Sequence, residues 1–321
     1  MIRKVGIIGS GKMGTDIFNY LSDFNFKLIL HSLFEEEKEK LENSFQKKIS
    51  RQLKHLLINQ EQYNLKSKFL ITTDLTDLKD CDLILESITE DQNAKKNLFK
   101  DLELIVKKDC ILASNSSSNI PSLLSSNTQI VGMHFFYPVA FKNVVELIIQ
   151  DGLSQEIIEL TKSLLSTINK KAFIQNEQNA FLLNRFLLDI QLKAFETVRK
   201  YKINYNQFDY AIQSVIPDFG VFEMMDQVGH QTMYNAIWNY AKLDGPENKY
   251  SPLLNELQLK IDSKSKFNDN DVKDLPVLLK TEINSEISKY MIELFNRYNS
   301  KYKIDSLVFK EYLNDFCGIV L

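Results

Sequence analysis

Lys4-Val5-Gly6-Ile7-Ile8-Gly9-Ser10-Gly11-Lys12-Met13-Gly14 decides the fold. The apolar run Lys4 to Ile8 has strand character, and Ile17, Phe18 and Leu21 beyond the glycines fall at helical spacing. In a strand, turn and helix sequence each glycine has a task. Gly9 permits the tight turn, Gly11 lets backbone approach a pyrophosphate, and Gly14 allows close packing of the helix, whose N-terminus offers amides and a positive dipole end. The stretch predicts a dinucleotide-binding unit with Gly9, Gly11, Met13 and Gly14 at the cofactor.

Working outward, Phe26 to Leu30 reads as the second strand. A dinucleotide fold places an Asp or Glu at its end to hold the adenosine ribose hydroxyls. Here His31-Ser32 follow, and no arginine lies between His31 and Arg51 to take a 2′-phosphate. NAD is therefore the expected cofactor, with His31 at the ribose position and weaker binding than an acid would give. Phe69 to Thr72, Asp82 to Glu86, Cys110 to Ser114 and Ile130 to Phe136 read as further strands, with Leu160 to Leu165 a helix and Ala172 to Ile174 a closing strand. In open parallel sheets ligands bind beyond the carboxyl ends of the strands. The loops Ser87-Ile88-Thr89-Glu90-Asp91 and Asn115-Ser116-Ser117-Ser118 should therefore converge there with His134.

His134 lies in the apolar run Gly132-Met133-His134-Phe135-Phe136-Tyr137-Pro138, and Glu146 follows twelve residues later. A general base working near neutral pH is most often histidine, and its ring needs a partner on the second nitrogen to fix tautomer and orientation. Glu146 suits that role. Read from the residues alone, the pair is a catalytic dyad, or else a satisfied core histidine and an unrelated surface glutamate.

The chain has 321 residues, 44 % of them hydrophobic, which is enough for two domains with a substantial core. With 42 acids against 39 bases the net charge is −3, so no overall basic field points to nucleic acid or an anionic membrane. Cys81, Cys110 and Cys317 are widely spaced and odd in number, fitting neither a disulfide framework nor a metal site. A reducing cytoplasmic setting is expected. The chain opens directly on a strand, leaving no room for a leader, and has no apolar run that would span a bilayer.

From Ala180 the pattern turns helical. Phe181, Leu182, Phe186, Leu187, Ile190, Ala194, Phe195 and Val198 cover most of one long, largely buried helix, and Asn184 inside this stripe needs a partner. Asn204 with Gln207 forms a capping-box start to a helix expected through Val215. A further helix is expected around Met233 to Ala241. The polar, lysine-rich stretch from Leu243 to Asp274 predicts a mobile loop, before amphipathic helices carrying Ile283 to Tyr298 and Phe309 to Phe316. The fold class is α/β, with a Rossmann-type dinucleotide-binding domain over 1–178 followed by an all-α domain over 179–321.

Taken together, these segments resemble the 3-hydroxyacyl-CoA dehydrogenase family, collinearly from Val5 to about Leu254. The likeness rests on Glu86-Ser87 through Glu90, Lys95, Leu98 and Phe99, on Ala113 to Ser118, and on Gly132 to Phe136 with Glu146 at the kept offset. It continues through Phe181-Leu182-Leu183-Asn184-Arg185, Gly220 to Gly229, and Ser251-Pro252-Leu253-Leu254. The resemblance implies that His134 takes the 3-hydroxyl proton while hydride leaves C3 for the nicotinamide, and that Glu146 stabilises the imidazolium. It implies that Ser117 and Asn184 position substrate oxygens, that Glu90 and Lys95 contact the cofactor, and that Lys54 touches coenzyme A. Departures are His31 for the ribose-binding acid, Tyr137 for an asparagine, Asn179-Ala180 for Pro-Gly, and the near absence of a glycine-rich segment around Lys264-Ser265. The last 50 or so residues exceed a minimal member and either reinforce a homodimer through the helical domain or mimic part of a second one.

The expected function is oxidation of a 3-hydroxyacyl thioester with NAD. A free hydroxy acid or an acyl-carrier-protein substrate, and a non-catalytic nucleotide-binding homologue, are the alternatives. Lys47, Lys48, Arg51 and Lys54 discriminate among them, because an anion clamp from Arg51 and Lys54 suits coenzyme A and a free acid needs none. The same cluster also reads as a solvated helix face.

Overall fold

The computed structural model describes residues 1–127, 129–217, 220–244, 249–269 and 274–319. The chain divides into two compact units, Met1–Ala180 and Phe181–Leu321. In chain order the first contains β1 (Lys4–Ile8), α1 (Lys12–Leu21), β2 (Lys27–His31), α2 (Glu35–Lys54), α3 (Gln60–Lys66), β3 (Phe69–Thr72), β4 (Leu83–Glu86) and α4 (Gln92–Ile105). It continues with β5 (Ile111–Ser114), β6 (Ile130–Phe135), β7 (Val144–Ile149), α5 (Gln155–Thr167) and β8 (Lys171–Asn176).

These strands form one sheet in the order β3-β2-β1-β4-β5-β6-β7-β8. Neighbours from β3 to β6 are parallel, β7 runs antiparallel to β6, and β8 is parallel to β7. The order reverses between β1 and β4, so the crevice of this Rossmann sheet opens beyond their carboxyl ends. The strands are apolar on both faces because helices cover both. Val5, Ile7, Leu83 and Leu85 pack with Ile17 and Phe18 of α1 on one side. Ile8 and Ile84 point to the other, against Phe99 and Leu102 of α4. Two-residue alternation within continuous apolar runs thus builds two cores from one set of strands.

The second unit is all helical, with α6 (Leu182–Tyr201), α7 (Tyr205–Ala211), α8 (Val221–Val228), α9 (His230–Asp244), α10 (Ser251–Ser263), α11 (Val277–Tyr302) and α12 (Ser306–Cys317). α6 buries the expected stripe, and its Phe186 meets Tyr298 of α11 and Phe309 of α12 edge-on. The Asn204–Gln207 capping box forms, but α7 ends at Ala211 rather than Val215. A larger correction concerns the polar stretch from Leu243 to Asp274. It contains α10, because Leu253, Leu254 and Leu257 share a buried face and Pro252 starts the helix where a missing amide is harmless. Residues 245–248 and 270–273 of that stretch lie outside the described residues. No helix among the described residues is long and apolar enough to cross a membrane.

Candidate active site

The glycine turn is built as a backbone cradle. A Cβ at Gly9, which has φ +114°, would lie 2.3 Å from the Ser87 carbonyl oxygen beyond β4, and one at Gly14 would lie 1.9 Å from the Gly9 carbonyl. Side chains at either place would break the approach of β1, β4 and α1. Gly11, by contrast, faces open space and caps α1 without any side-chain bond. The first amides of α1 are therefore presented toward that space, as an anion needs. Met13 stands in the first turn of α1, half-buried against the sheet core.

His31 ends β2 and is buried, with its Nε2 3.2 Å from the Thr73 carbonyl. Burial, the larger influence, holds its imidazole below the ordinary histidine range despite that contact. Beside it, Ser32 and Ser10 both reach Glu37 of α2.

Beyond β4 and β5 a buried ionic knot organises the loops. Glu86, at the end of β4, is fully buried and accepts from Lys95 Nζ at 2.6 Å, Ser114 Oγ at 2.6 Å and the Ile88 amide at 2.7 Å. Lys95 also lies 3.4 Å from Glu90. Burial pulls the Lys95 ammonium down, but the two carboxylates more than offset this, so its pKa stands above the ordinary lysine value. Glu90 in turn gathers the serine loop, accepting from Ser116 Oγ, Ser118 Oγ, and both the amide and hydroxyl of Ser117. Burial raises its carboxyl, whereas Lys95 and the hydroxyls hold it below the ordinary range. Asn115 extends the network by donating to Ser87 Oγ and accepting from the Phe135 amide at 2.8 Å, next to His134.

His134 and Glu146 are directly opposed in the antiparallel β6–β7 pair. His134 Nδ1 lies 2.8 Å from Glu146 Oε2, and the other oxygen accepts from Gln175 Nε2 of β8 at 3.0 Å. Both dyad residues are buried, and the Phe136 ring packs edge-on against the imidazole. A carboxylate only accepts, so Nδ1 carries a hydrogen, and in the neutral imidazole this puts the lone pair on Nε2.

The first unit thus holds the glycine turn and the loops with Glu90 and Ser117 at the carboxyl ends of the parallel strands, Lys95 on α4 beneath them, and His134 and Glu146 on β6 and β7 of the same sheet. Asn184 belongs to the helical unit, where its Nδ2 meets the Tyr240 hydroxyl at 3.3 Å. Arg51 and Lys54 are exposed at the end of α2. Neither lines the cavity of about 150 Å³ between α1 and α2, which Asp16, Asn19, Lys48 and Lys66 border. The sequence reading gave no role to Gln175, to Glu86, which entered only as part of a family motif, or to Glu37. A carboxylate inside the apolar run Leu83-Ile84-Leu85-Glu86 was the available signal for the second, since a buried charge requires a partner.

Residues 4–178 match the sequence profile of the 3-hydroxyacyl-CoA dehydrogenase NAD binding domain, and residues 181–266 that of the 3-hydroxyacyl-CoA dehydrogenase C-terminal domain. The chain belongs to the 3-hydroxyacyl-CoA dehydrogenase family. The 3-hydroxybutyryl-CoA dehydrogenase of Bradyrhizobium diazoefficiens is 27 % identical over 258 residues, covering 78 % of this chain and 88 % of that protein. The one from Clostridioides difficile is 29 % identical over 259 residues, covering 78 % and 92 %. The crystal structure of FadB2 from M. tuberculosis shares the fold with a TM-score of 0.74 at 22 % identity, covering 85 % of this chain and 99 % of that one. Members of this oxidoreductase family use NAD, and the open space over Gly11 with the uncapped α1 terminus fits its pyrophosphate.

Proposed function

We propose that this 3-hydroxyacyl-CoA dehydrogenase homologue interconverts a 3-hydroxyacyl and a 3-ketoacyl thioester of coenzyme A, with the His134–Glu146 dyad as its general base. The bond from His134 Nδ1 to Glu146, in the same unit as the glycine turn, is the observation that carries the reading. NAD, when bound, supplies the hydride-accepting nicotinamide. His134 Nε2 takes the 3-hydroxyl proton, and the Glu146 carboxylate stabilises the imidazolium that results. Gln175 keeps Glu146 from rotating away, because its amide holds the second oxygen. Ser117, whose amide is fixed by Glu90, turns its hydroxyl from Glu90 to a substrate oxygen as the carbonyl develops. Arg51 and Lys54 provide the cationic face for the phosphates of coenzyme A.

Oxidation of NADH by the full chain, followed with short and medium 3-ketoacyl-CoA substrates and with the matching free keto acids, tests this assignment. The thioesters should show kcat/KM on the order of 100-fold above the free acids, since remote binding of the carrier contributes to reaction at the acyl end. Equal turnover of free acids would move the substrate to a small hydroxy acid. Absence of turnover with every substrate would sink the enzymatic reading.

A further inference from the structure

Loss of the acid at the end of β2 leaves open what holds the adenosine ribose and what keeps a 2′-phosphate out. The first turn of α2 carries three consecutive carboxylates, Glu35, Glu36 and Glu37, any of which would favour the positive end of the helix dipole. They are not equivalent. Glu35 bonds Lys38 and Thr73 Oγ, and Glu36 is exposed to solvent. Glu37 is half-buried and turns inward, where its Oε2 accepts from Ser10 Oγ at 2.6 Å and Ser32 Oγ at 2.6 Å.

Those two serines locate the carboxylate. Ser10 sits inside the glycine turn, between Gly9 and Gly11, and Ser32 directly follows β2, with their hydroxyls 3.1 Å apart. The Gly9 amide bonds the His31 carbonyl at 3.1 Å, which locks the two loops together at the carboxyl ends of β1 and β2. Both serine bonds fall on Oε2. Oε1 accepts none of the hydrogen bonds found among the described residues, so an acceptor remains available beside the glycine turn. His31 itself is committed to Thr73, and Lys38 to Glu35.

We propose that Glu37 is the specificity-determining acid of the cofactor site: delivered from α2 rather than from β2, it accepts the adenosine ribose hydroxyls of NAD and repels the 2′-phosphate of NADP. This rests on NAD binding by the first unit and not on the substrate assignment. The Ser10 and Ser32 hydroxyls hold the Glu37 carboxyl below the usual carboxylate range, so it carries its charge at neutral pH. Ser10 and Ser32 are positioning residues that aim it. Placing an acid on the helix moves it by six positions from the expected place, and the paired serines bridge that distance.

The test is fluorescence titration of the full chain with NADH and with NADPH, read as the ratio of the two dissociation constants. The ratio isolates the 2′ position because the pyrophosphate and nicotinamide are common to both ligands. Wild type should favour NADH by about tenfold or more, and Glu37→Gln should reduce that preference by about tenfold while leaving the far-ultraviolet circular dichroism unchanged. Glu36→Gln, one residue away and exposed, should leave the ratio where it was. Should Glu37→Gln not fold, Ser10→Ala frees the carboxylate from one donor and should move the ratio in the same direction by a smaller factor. His31→Asp supplies the rival outcome: a clear tightening of NADH there, with Glu37→Gln or Ser10→Ala inert, would overturn the proposal and return the ribose to β2.

Discussion

His134 and Glu146 occupy facing positions on β6 and β7, the antiparallel pair in an otherwise parallel sheet, with Nδ1 to Oε2 at 2.8 Å. Register therefore sets the dyad. A shift of one residue in either strand would turn one member to the opposite face of the sheet.

His134→Ala should lower kcat by about 10² to 10⁴ and leave NADH binding within about twofold, because the ring acts on substrate and not on the dinucleotide. Glu146→Gln keeps the shape but removes the charge that favours an imidazolium, so it should also be slow. Steady-state rates beside an NADH titration check both, and retention of more than about a tenth of the wild-type kcat by His134→Ala would contradict the base assignment.

Lys95→Met should destabilise the chain by about 3 to 5 kcal/mol without any cofactor present. It leaves Glu86 fully buried without its counter-charge, and takes the same cation away from Glu90, which holds the serine loop. Denaturant unfolding gives the answer. An unchanged midpoint together with weaker NADH binding would make Lys95 a cofactor contact rather than the centre of a structural knot.

Arg51→Ala combined with Lys54→Ala should raise KM for a coenzyme A thioester several-fold, on the order of 3 to 10, while a truncated pantetheine thioester is hardly affected and kcat stays put. The effect should fade with added salt, since both cations are exposed. Equal effects on the two thioesters would leave these residues as a solvated helix face.

Acid should erase the contribution of Asp82. Burial raises its carboxyl, but the Lys107 ammonium and the Arg3 and Lys4 amides more than offset this and leave it at about 2. A folded pKa below the unfolded one means stability that is present above the unfolded value, roughly pH 4, and lost as pH falls through about 2. Asp82→Asn should therefore cost about 1 to 2 kcal/mol near neutral pH, with the cost shrinking toward zero as pH falls through about 2. Urea unfolding of both proteins across that range would show a pH-independent difference if the contacts were merely steric.

The amino-acid sequence by itself determined the local, periodic part of this protein. Gly9, Gly11 and Gly14 between a strand and a helix specify the cofactor turn because turn, approach and packing are short-range demands, and the helix stripe from Phe181 to Val198 follows from spacing alone. The family motifs likewise carried His134, Glu146, Ser117 and Asn184 as candidates, and the matching profiles established the family. Periodicity misjudged the stretch holding α10, whose three buried leucines are outnumbered by solvent-facing polar residues, so that mean polarity hid an amphipathic helix. Only the tertiary structure decided the long-range partners. Gln175 reaches Glu146 across β7 and β8, and Glu86 meets Lys95 from the next helix. Glu37 folds back to Ser10 across 27 positions, a pairing that depends on where α2 lands beside β1 and on no local pattern of residues.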